Sequence, residues 1–183
     1  MKKIVFLEGL PGIGKTTIVR TIQNRNLENV HAVDEIINPN IIGVVSHNQS
    51  DFMENDNLKY NRFDEGLIII DRGFISTLSY NETLNLIEKN EQFDMVNNWF
   101  NNIKDIYNCD NVYTIYLTCN GKEYKISEND INGPYGTIKM QKELEKVTIN
   151  NIKKYCKNYK IVLYDKNNME EFIDEIISQY MCP

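Results

Sequence analysis

The sequence predicts an α/β protein in which a parallel sheet is buried between helices. Several short apolar runs are continuous and rich in β-branched residues, which is typical of strands covered on both faces. Between these runs, apolar residues recur at intervals of three and four, as they do along one face of an amphipathic helix. Strand and helix alternate along the chain, and this order favours parallel strands joined by right-handed crossovers.

Each predicted element follows from its own local pattern. The predicted strands are IVFL (4–7), VHAV (30–33, the weakest), LIII (67–70), VYTIYL (112–117) and IVLY (161–164). The predicted helices begin after Lys15 or cover residues 51–62, 74–89, 93–106, 144–155 and 169–180. Residues 38–50 and 119–137 stay irregular, and the second stretch is long enough to suggest a functional lid.

Composition narrows the classes of function. The chain has 183 residues, which fits one domain over 1–183, and 42% of them are hydrophobic, which excludes intrinsic disorder. Because 26 acidic residues outnumber 20 Lys and Arg, we expect no nucleic acid and no membrane as a partner, although a small anion could still bind locally. No apolar run is long enough for a membrane helix, and Glu8 interrupts the N-terminal run before it could serve as a signal peptide.

The cysteines indicate reduced thiols. Cys109, Cys119, Cys156 and Cys182 form no CxxC pair, and only two histidines are present. We therefore expect neither a structural zinc site nor a disulfide framework, and we predict a cytoplasmic protein.

Residues 9–16 read GLPGIGKT and fit the phosphate-binding pattern GxxxxGK[ST]. They follow a predicted strand and open a predicted helix, so glycine-rich backbone N–H groups and the helix N-terminus would face one anion. We predict a nucleotide phosphate site rather than a chance glycine turn, with Lys15 on the β- and γ-phosphates and the Thr16 hydroxyl on Mg²⁺. The expected phosphate-binding residues are Gly9, Leu10, Pro11, Gly12, Ile13, Gly14, Lys15, Thr16 and Thr17.

Asp71 and Arg72 follow the predicted strand LIII, at the sheet edge where α/β proteins bind ligands. The carboxylate of Asp71 suits Mg²⁺ opposite Thr16, the N-cap of the next helix, or both. Arg72 is one of four arginines, and its planar guanidinium suits bidentate phosphate binding, with a surface ion pair as the alternative.

The P-loop together with DRGFISTLSY at 71–80 resembles the thymidylate kinase group of P-loop kinases. That group carries a DR motif followed by Ser and an Ala/Ser–Tyr pair, and the related deoxynucleoside kinases carry Glu-Arg at the same place. The matching positions here are Asp71, Arg72, Ser76, Ser79 and Tyr80. The resemblance implies a P-loop NTPase three-layer fold with a five-stranded parallel sheet and a lid at about 119–137.

The resemblance also implies an activity. It implies an enzyme that transfers a phosphoryl group from ATP, with Mg²⁺, to a nucleoside monophosphate. A deoxynucleoside 5′-hydroxyl or a non-nucleotide alcohol is the alternative acceptor. The expected catalytic residues are Lys15, Glu35, Asp71 and Arg72. Relatives are often dimers, so a homodimer is an open alternative.

Relatives also carry an acidic residue at the end of the second strand. In VDEIINP, Glu35 is the best match and Asp34 the alternative. In a nucleoside kinase this carboxylate would take the 5′-hydroxyl proton, whereas in a monophosphate kinase it would orient the sugar or assist magnesium. Helix 51–62 falls where relatives contact substrate, although its residues could equally form an ordinary helix face. The expected substrate-binding residues are Asp34, Glu35, Phe52, Asn57, Tyr60, Arg62, Arg72 and Ser76.

Two departures from the group bear on the acceptor. Neither the P-loop nor the lid contains arginine, so only Lys122, Lys125 and Lys139 would supply positive charge there. Gly73 replaces the Tyr that often follows the DR pair. Both weigh against specificity for dTMP and leave the ATP site intact. The loop 165–168 is similar in place to the adenine-contacting loop of the group.

Two other classes of P-loop protein are less favoured. A regulatory GTPase needs an NKxD motif, and neither DKNN (165–168) nor TCNG (118–121) fits. A motor or assembly ATPase usually needs a longer chain.

Overall fold

In the computed structural model, described for residues 1–41, 48–86, 89, 91–119 and 133–181, five strands form one sheet. The strands are β1 (Lys2–Gly9), β2 (Val30–Val33), β3 (Gly66–Asp71), β4 (Val112–Thr118) and β5 (Tyr159–Leu163). Their spatial order is β2-β3-β1-β4-β5, and each neighbouring pair is parallel. All five predicted runs fall on strands, which confirms the parallel α/β class.

Within the same described ranges, six α-helices connect and cover the strands. They are α1 (Lys15–Arg25), α2 (Gln49–Tyr60), α3 (Phe74–Asn85), α4 (Phe93–Ile103), α5 (Ile138–Tyr155) and α6 (Met169–Met181). Short 3₁₀ turns cover Lys104–Asn108 and Lys166–Asn168. The third helix is therefore shorter than the predicted 74–89, and the predicted helix over 93–106 ends at Ile103 and continues as a 3₁₀ turn.

The helices form a layer on each face of the sheet. Apolar residues of β1 such as Val5 and Leu7 pack with α1 and α6, whereas Ile4 and Phe6 pack with α3, α4 and α5. Successive strand residues point to opposite faces, so a continuous apolar run is what a sheet covered on both sides requires. This is the predicted three-layer fold. None of the helices in the described ranges is both long enough and apolar enough to cross a bilayer.

The strand order brings the P-loop and Asp71 together. In the central pair β1–β3, Leu7 lies opposite Asp71, so β1 continues into the P-loop beside the end of β3. On the other side of β1, Gly9 lies opposite Leu117 of β4. The connection from β1 runs to β2 on one side of β1, and the connection from β3 crosses to β4 on the other side. Ligands of α/β proteins bind at the carboxyl edge of such a switch point.

Candidate active site

The P-loop turns sharply between β1 and α1. Gly9, Gly12 and Gly14 have φ values of 146°, 75° and 118°, which residues with a Cβ rarely adopt. A Cβ on Gly9 would also lie 2.7 Å from the carbonyl oxygen of Leu117. The turn itself therefore requires glycine, and a turn of this kind at a helix N-terminus forms a site for anions.

Lys15 lies in the first turn of α1 with its side chain folded over the P-loop. Its ammonium group donates hydrogen bonds to the carbonyl oxygens of Gly9 at 2.9 Å and Leu10 at 3.0 Å. Burial, and after it the charge of Arg72, lowers the pKa of Lys15 to about 8. The ammonium is thus held at the P-loop by backbone carbonyls, and an anion bound there would stabilise its charged form.

A hydroxyl and a carboxylate meet at the end of β3. Thr16 donates its hydroxyl to Oδ2 of Asp71 at 2.8 Å. Asp71 is fully buried, and this burial raises the pKa of its carboxyl group although Lys15 opposes the shift. Among the described residues, Oδ1 of Asp71 has no hydrogen-bond partner.

These oxygen atoms fit Mg²⁺. A buried carboxylate oxygen that lacks a partner needs a proton or a cation, and Mg²⁺ prefers oxygen ligands. In the described part of the chain, no three His, Cys, Asp or Glu side chains gather into a group that could hold a metal. Thr16 and Asp71 would therefore share the ion with nucleotide phosphates and water, which is how Mg²⁺ usually binds beside phosphates.

The guanidinium of Arg72 is held on three sides. Its Nη1 donates to the Gly9 carbonyl at 3.1 Å, and its Nε lies 2.7 Å from Oε1 of Glu35. It also lies over the ring of Tyr80 on α3, 5.2 Å from the ring centre. Arg72 thereby connects the P-loop to the acidic end of β2.

Glu35, and not Asp34, is the carboxylate that the structure brings to Arg72. Burial opposes its charged form, but the positive charges of Arg72, Lys15 and Lys59 lower the pKa of Glu35 below its usual range. Its side chain is still 42% exposed, so a ligand can reach it. Asp34 instead accepts a hydrogen bond from Gln23 of α1, at 3.3 Å.

Asn55 fixes the backbone around Glu35. This buried residue of α2 donates to the Glu35 carbonyl at 2.8 Å, and its Oδ1 accepts from the N–H groups of Ile37 at 2.8 Å and Asn38 at 3.0 Å. The position of Glu35 therefore depends on α2.

The backbone of Arg72 has a φ of 59°, which is unusual for a residue other than glycine. The next residue, Gly73, donates its N–H to Oε1 of Glu8 at 2.9 Å, and Ser76 donates its hydroxyl to the other oxygen of the same carboxylate. A Cβ at Gly73 would lie 2.5 Å from the ring of Phe6, which explains why a larger residue does not follow the DR pair here.

Glu8 is completely buried below the P-loop. Burial raises its pKa to about 7, although the hydrogen bonds from Ser76 and Gly73 and the charges of Arg72 and Lys15 oppose the shift. Sequence reasoning did not assign Glu8 to the site. The sequence did contain an indication of this role. A carboxylate near the end of an otherwise apolar strand needs hydrogen-bond or charge partners when it is buried. Ser76, for which the resemblance implied substrate binding, is one of these partners.

The predicted substrate residues on α2 are spread over that helix. Tyr60 accepts, through its carbonyl, a hydrogen bond from the ammonium of Lys2 at 2.8 Å, so it lies at the amino end of β1, opposite the P-loop. The guanidinium of Arg62 lies over the ring of Phe63. Asn57 is exposed on the outer side of the helix, and Phe52 is half-buried at its other end.

The face of α2 that contacts the site is polar, which sequence reasoning missed. Its buried residues are Asn55, Asp56 and Lys59. Because these residues form no apolar stripe, the sequence pattern did not indicate which side of α2 faces the sheet.

The region predicted as the lid is only partly described. Lys122 and Lys125 lie outside the described residues, and Lys139 is exposed in the first turn of α5. Tyr135 is buried, donates its hydroxyl to the Tyr80 carbonyl, and packs near Leu10 of the P-loop. The residues that follow the undescribed stretch are thus held against the P-loop and α3.

The loop after β5 also contacts the P-loop. Lys166 donates to the Gly12 carbonyl at 2.9 Å, and the ring of Tyr164 would lie 3.4 Å from a Cβ on Gly14. The loop expected to contact adenine is therefore adjacent to the phosphate-binding turn.

Comparisons with known proteins identify the fold. No protein-family model matches the chain, and no curated protein matches it. A thymidylate kinase from Candida albicans aligns with a TM-score of 0.63 and 15% identity, over 97% of this chain and 92% of that one.

Two further structures extend the comparison. A deoxyadenosine kinase from M. mycoides with bound dCTP gives a TM-score of 0.58 and 14% identity, over 98% of this chain and 100% of that one. The NadR protein in complex with NAD and AMP-PNP gives 0.60 and 14%, over all of this chain and 50% of that one. The resemblance predicted from the sequence is confirmed at the level of the fold, which this chain shares with thymidylate and deoxyadenosine kinases.

Proposed function

We propose that this chain is an ATP-dependent kinase whose acceptor is a hydroxyl group of a nucleoside. The proposal rests on the position of Glu35, a partly exposed carboxylate that forms an ion pair with Arg72 beside the P-loop. Supporting it is the fold, which is shared with thymidylate and deoxyadenosine kinases.

The P-loop half of the site would hold ATP. Lys15 would exchange its bonds to the Gly9 and Leu10 carbonyls for bonds to the β- and γ-phosphates. Thr16 and Asp71 would hold Mg²⁺, which supplies positive charge to the phosphates when it is bound. These groups act mainly by position and charge, since phosphoryl transfer needs little covalent chemistry from the protein.

The acceptor half would supply a base. Because its pKa is lowered, Glu35 is ionised at neutral pH and can accept the proton of a hydroxyl group. As the acceptor oxygen bonds to the γ-phosphorus, the bond from that phosphorus to the β–γ bridging oxygen breaks. The proton then resides on Glu35, and ADP leaves. Arg72, still bound to Gly9, would stabilise the transferring phosphoryl group.

A nucleoside monophosphate is the second candidate acceptor. It is favoured by the likeness to the thymidylate kinase of Candida albicans and by the phosphate-binding geometry of Arg72. A monophosphate would have to displace Glu35 from Arg72 before binding there, and its charge would be repelled by that carboxylate. A hydroxyl acceptor meets neither obstacle.

The test is ADP release with ATP and Mg²⁺ against nucleosides, nucleoside monophosphates, sugars and no acceptor. Lys15→Met, prepared in the same way, controls for contaminating kinases. Release that depends on nucleosides is the expected result. Release with monophosphates alone would favour the second candidate. Equal release without any acceptor would contradict a kinase.

A further inference from the structure

Lys59 of α2 has a buried ammonium group that contacts Asp71, the last residue of β3, and Arg72, the residue after it. It is 2% exposed, and an ammonium in such a place needs partners for all its protons. It has three: the Arg72 carbonyl at 2.9 Å, the Asp71 carbonyl at 3.3 Å, and Oδ1 of Asp56 at 2.8 Å. Asp56 is also buried, and its Oδ2 accepts from the Thr77 hydroxyl at 2.7 Å.

The two carbonyls belong to the residues whose side chains approach the P-loop. Asp71 accepts from Thr16, and Arg72 binds Gly9 and Glu35. The backbone of Arg72 is in the left-handed region, which such a residue occupies only when its surroundings hold it there. One ammonium group therefore donates hydrogen bonds to the backbone carbonyls of both residues.

We infer that Lys59 is a positioning residue that sets the placement of Asp71 and Arg72 for phosphoryl transfer through their backbone carbonyls. The inference rests on the proposed function for its kinetic consequence, and on contacts alone for its structural one. Lys59 itself contacts no reacting group, so its effect on the rate passes through the placement of those two residues, apart from the part its charge plays in lowering the pKa of Glu35. A displacement of about 1 Å in such groups can lower the rate about 100-fold.

A contribution to fold stability does not by itself explain the buried ion pair of Lys59 and Asp56. Replacing a buried ion pair by neutral residues of similar size is often neutral or stabilising, whereas removing one partner alone is harmful. The informative variant therefore changes both residues, as Asp56→Asn with Lys59→Met. The new amide can still accept from Thr77, and neither position 56 nor position 59 keeps a charge. The variant loses the hydrogen bonds to the two carbonyls, together with the Lys59 charge that acts on Glu35.

Thr77→Val is the matched control. It removes one partly buried hydrogen bond from the same network and leaves Lys59 bound to both carbonyls. We expect the double variant to lower kcat about 10- to 100-fold with less than about a threefold change in KM for ATP. Thr77→Val should leave both kcat and the KM for ATP at wild-type values. A purely structural role would instead lower the melting temperature in both variants and leave kcat per folded molecule unchanged.

A second readout does not need activity. The chain has four arginines, so the side-chain Nε–H signals in ¹⁵N NMR spectra can be assigned by Arg→Lys substitution. In the double variant, the Nε–H signal of Arg72 should shift, and its proton should exchange with water at least about tenfold faster. Neither change should occur in Thr77→Val. If the double variant does not fold, Asp56→Asn with Lys59→Gln replaces it with a neutral donor.

The two proposals fail separately. If kcat and the Arg72 signal both stay at wild-type values in the double variant, the positioning role is overturned. If the wild-type chain shows no acceptor-dependent ADP release, the proposed function fails. The Arg72 signal then decides the positioning role by itself, since a shift supports it and an unchanged signal overturns it.

Discussion

Apart from Asp71, the phosphate half of the site comes from one unbroken run, residues 9–16. The acceptor half combines residues of α2 and α3 with residues that follow β2 and β3. In the first half, a curved backbone with three glycines forms most of the anion site, so any strand–turn–helix with this pattern forms a similar site. In the second, Glu35 and Arg72 are placed by contacts with buried polar residues far away in the chain. The two halves should therefore respond differently to substitution.

The largest expected effect is in the phosphate half. Lys15→Met removes the ammonium that would neutralise the transferring phosphates, so acceptor-dependent ADP release should fall about 1,000-fold or more. The melting temperature should not fall, because the lost ammonium is buried and its pKa is already lowered to about 8. Steady-state kinetics and thermal unfolding check both expectations.

Lys160→Met is the control for charge removal. Lys160 forms an exposed ion pair with Glu175 on α6 at 2.8 Å, far from the P-loop, and its loss should change turnover less than about twofold. Near-normal turnover in Lys15→Met would contradict the assignment of residues 9–16 as the phosphate half.

The second effect separates the acceptors. Glu35→Gln keeps the size of the side chain but removes the base and the ion pair with Arg72. We expect turnover with nucleosides to fall about 100- to 1,000-fold, which is the usual contribution of a general base. Turnover with a monophosphate should change far less, or rise, because Arg72 becomes free to bind its phosphate. Parallel kcat/KM values for the two acceptor types measure the difference.

One pattern of results would contradict the role of Glu35 as the base. A Glu35→Gln variant that loses monophosphate turnover and keeps nucleoside turnover would exclude the base. Asp34→Asn is the matched control, since Asp34 is the neighbouring carboxylate and binds Gln23 instead of Arg72.

The same contrast explains what sequence reasoning could find. The five strands are continuous apolar runs, and the P-loop is contiguous, so local patterns predicted both. A pattern at the end of β2 could not separate Asp34 from Glu35, because only the contact with Arg72 does so. On α2, the sequence predicted Phe52, Asn57, Tyr60 and Arg62 at the site, whereas the residues that this helix buries are Asn55, Asp56 and Lys59. Which side of a helix faces the sheet is unreadable when no apolar stripe marks it.

The third effect concerns Glu8, which lies below both halves. Its pKa of about 7 in the folded protein exceeds the ordinary value of 4.5, so folding favours the protonated form. Wild-type stability should therefore fall as pH rises from about 4.5 to about 7, and stay lowered above that range. Glu8→Gln mimics the protonated form and should raise the free energy of unfolding by up to about 3 kcal/mol above pH 7, since one pKa unit corresponds to about 1.4 kcal/mol.

Urea unfolding between pH 5 and pH 8 measures this difference. The gain should shrink as the pH falls, because both proteins then carry a neutral group at position 8. Glu171→Gln on the exposed side of α6 is the control and should stay within about 0.5 kcal/mol of wild type throughout. A gain that does not vary with pH would mean that the substitution acts through packing and not through the buried charge.

The smallest expected effect belongs to Arg62, which the sequence placed in the acceptor half. Its guanidinium lies over Phe63, whose ring stacks on His31 of β2 at 4.0 Å between centres. His31 pairs with Ile68 near the middle of β3, well before Asp71. Arg62→Ala should therefore change KM for the acceptor less than about twofold and cost about 0.5–1 kcal/mol of stability from the lost ring contact. A tenfold rise in that KM would place the acceptor along the outer side of α2, and would extend the acceptor half beyond Glu35 and Arg72.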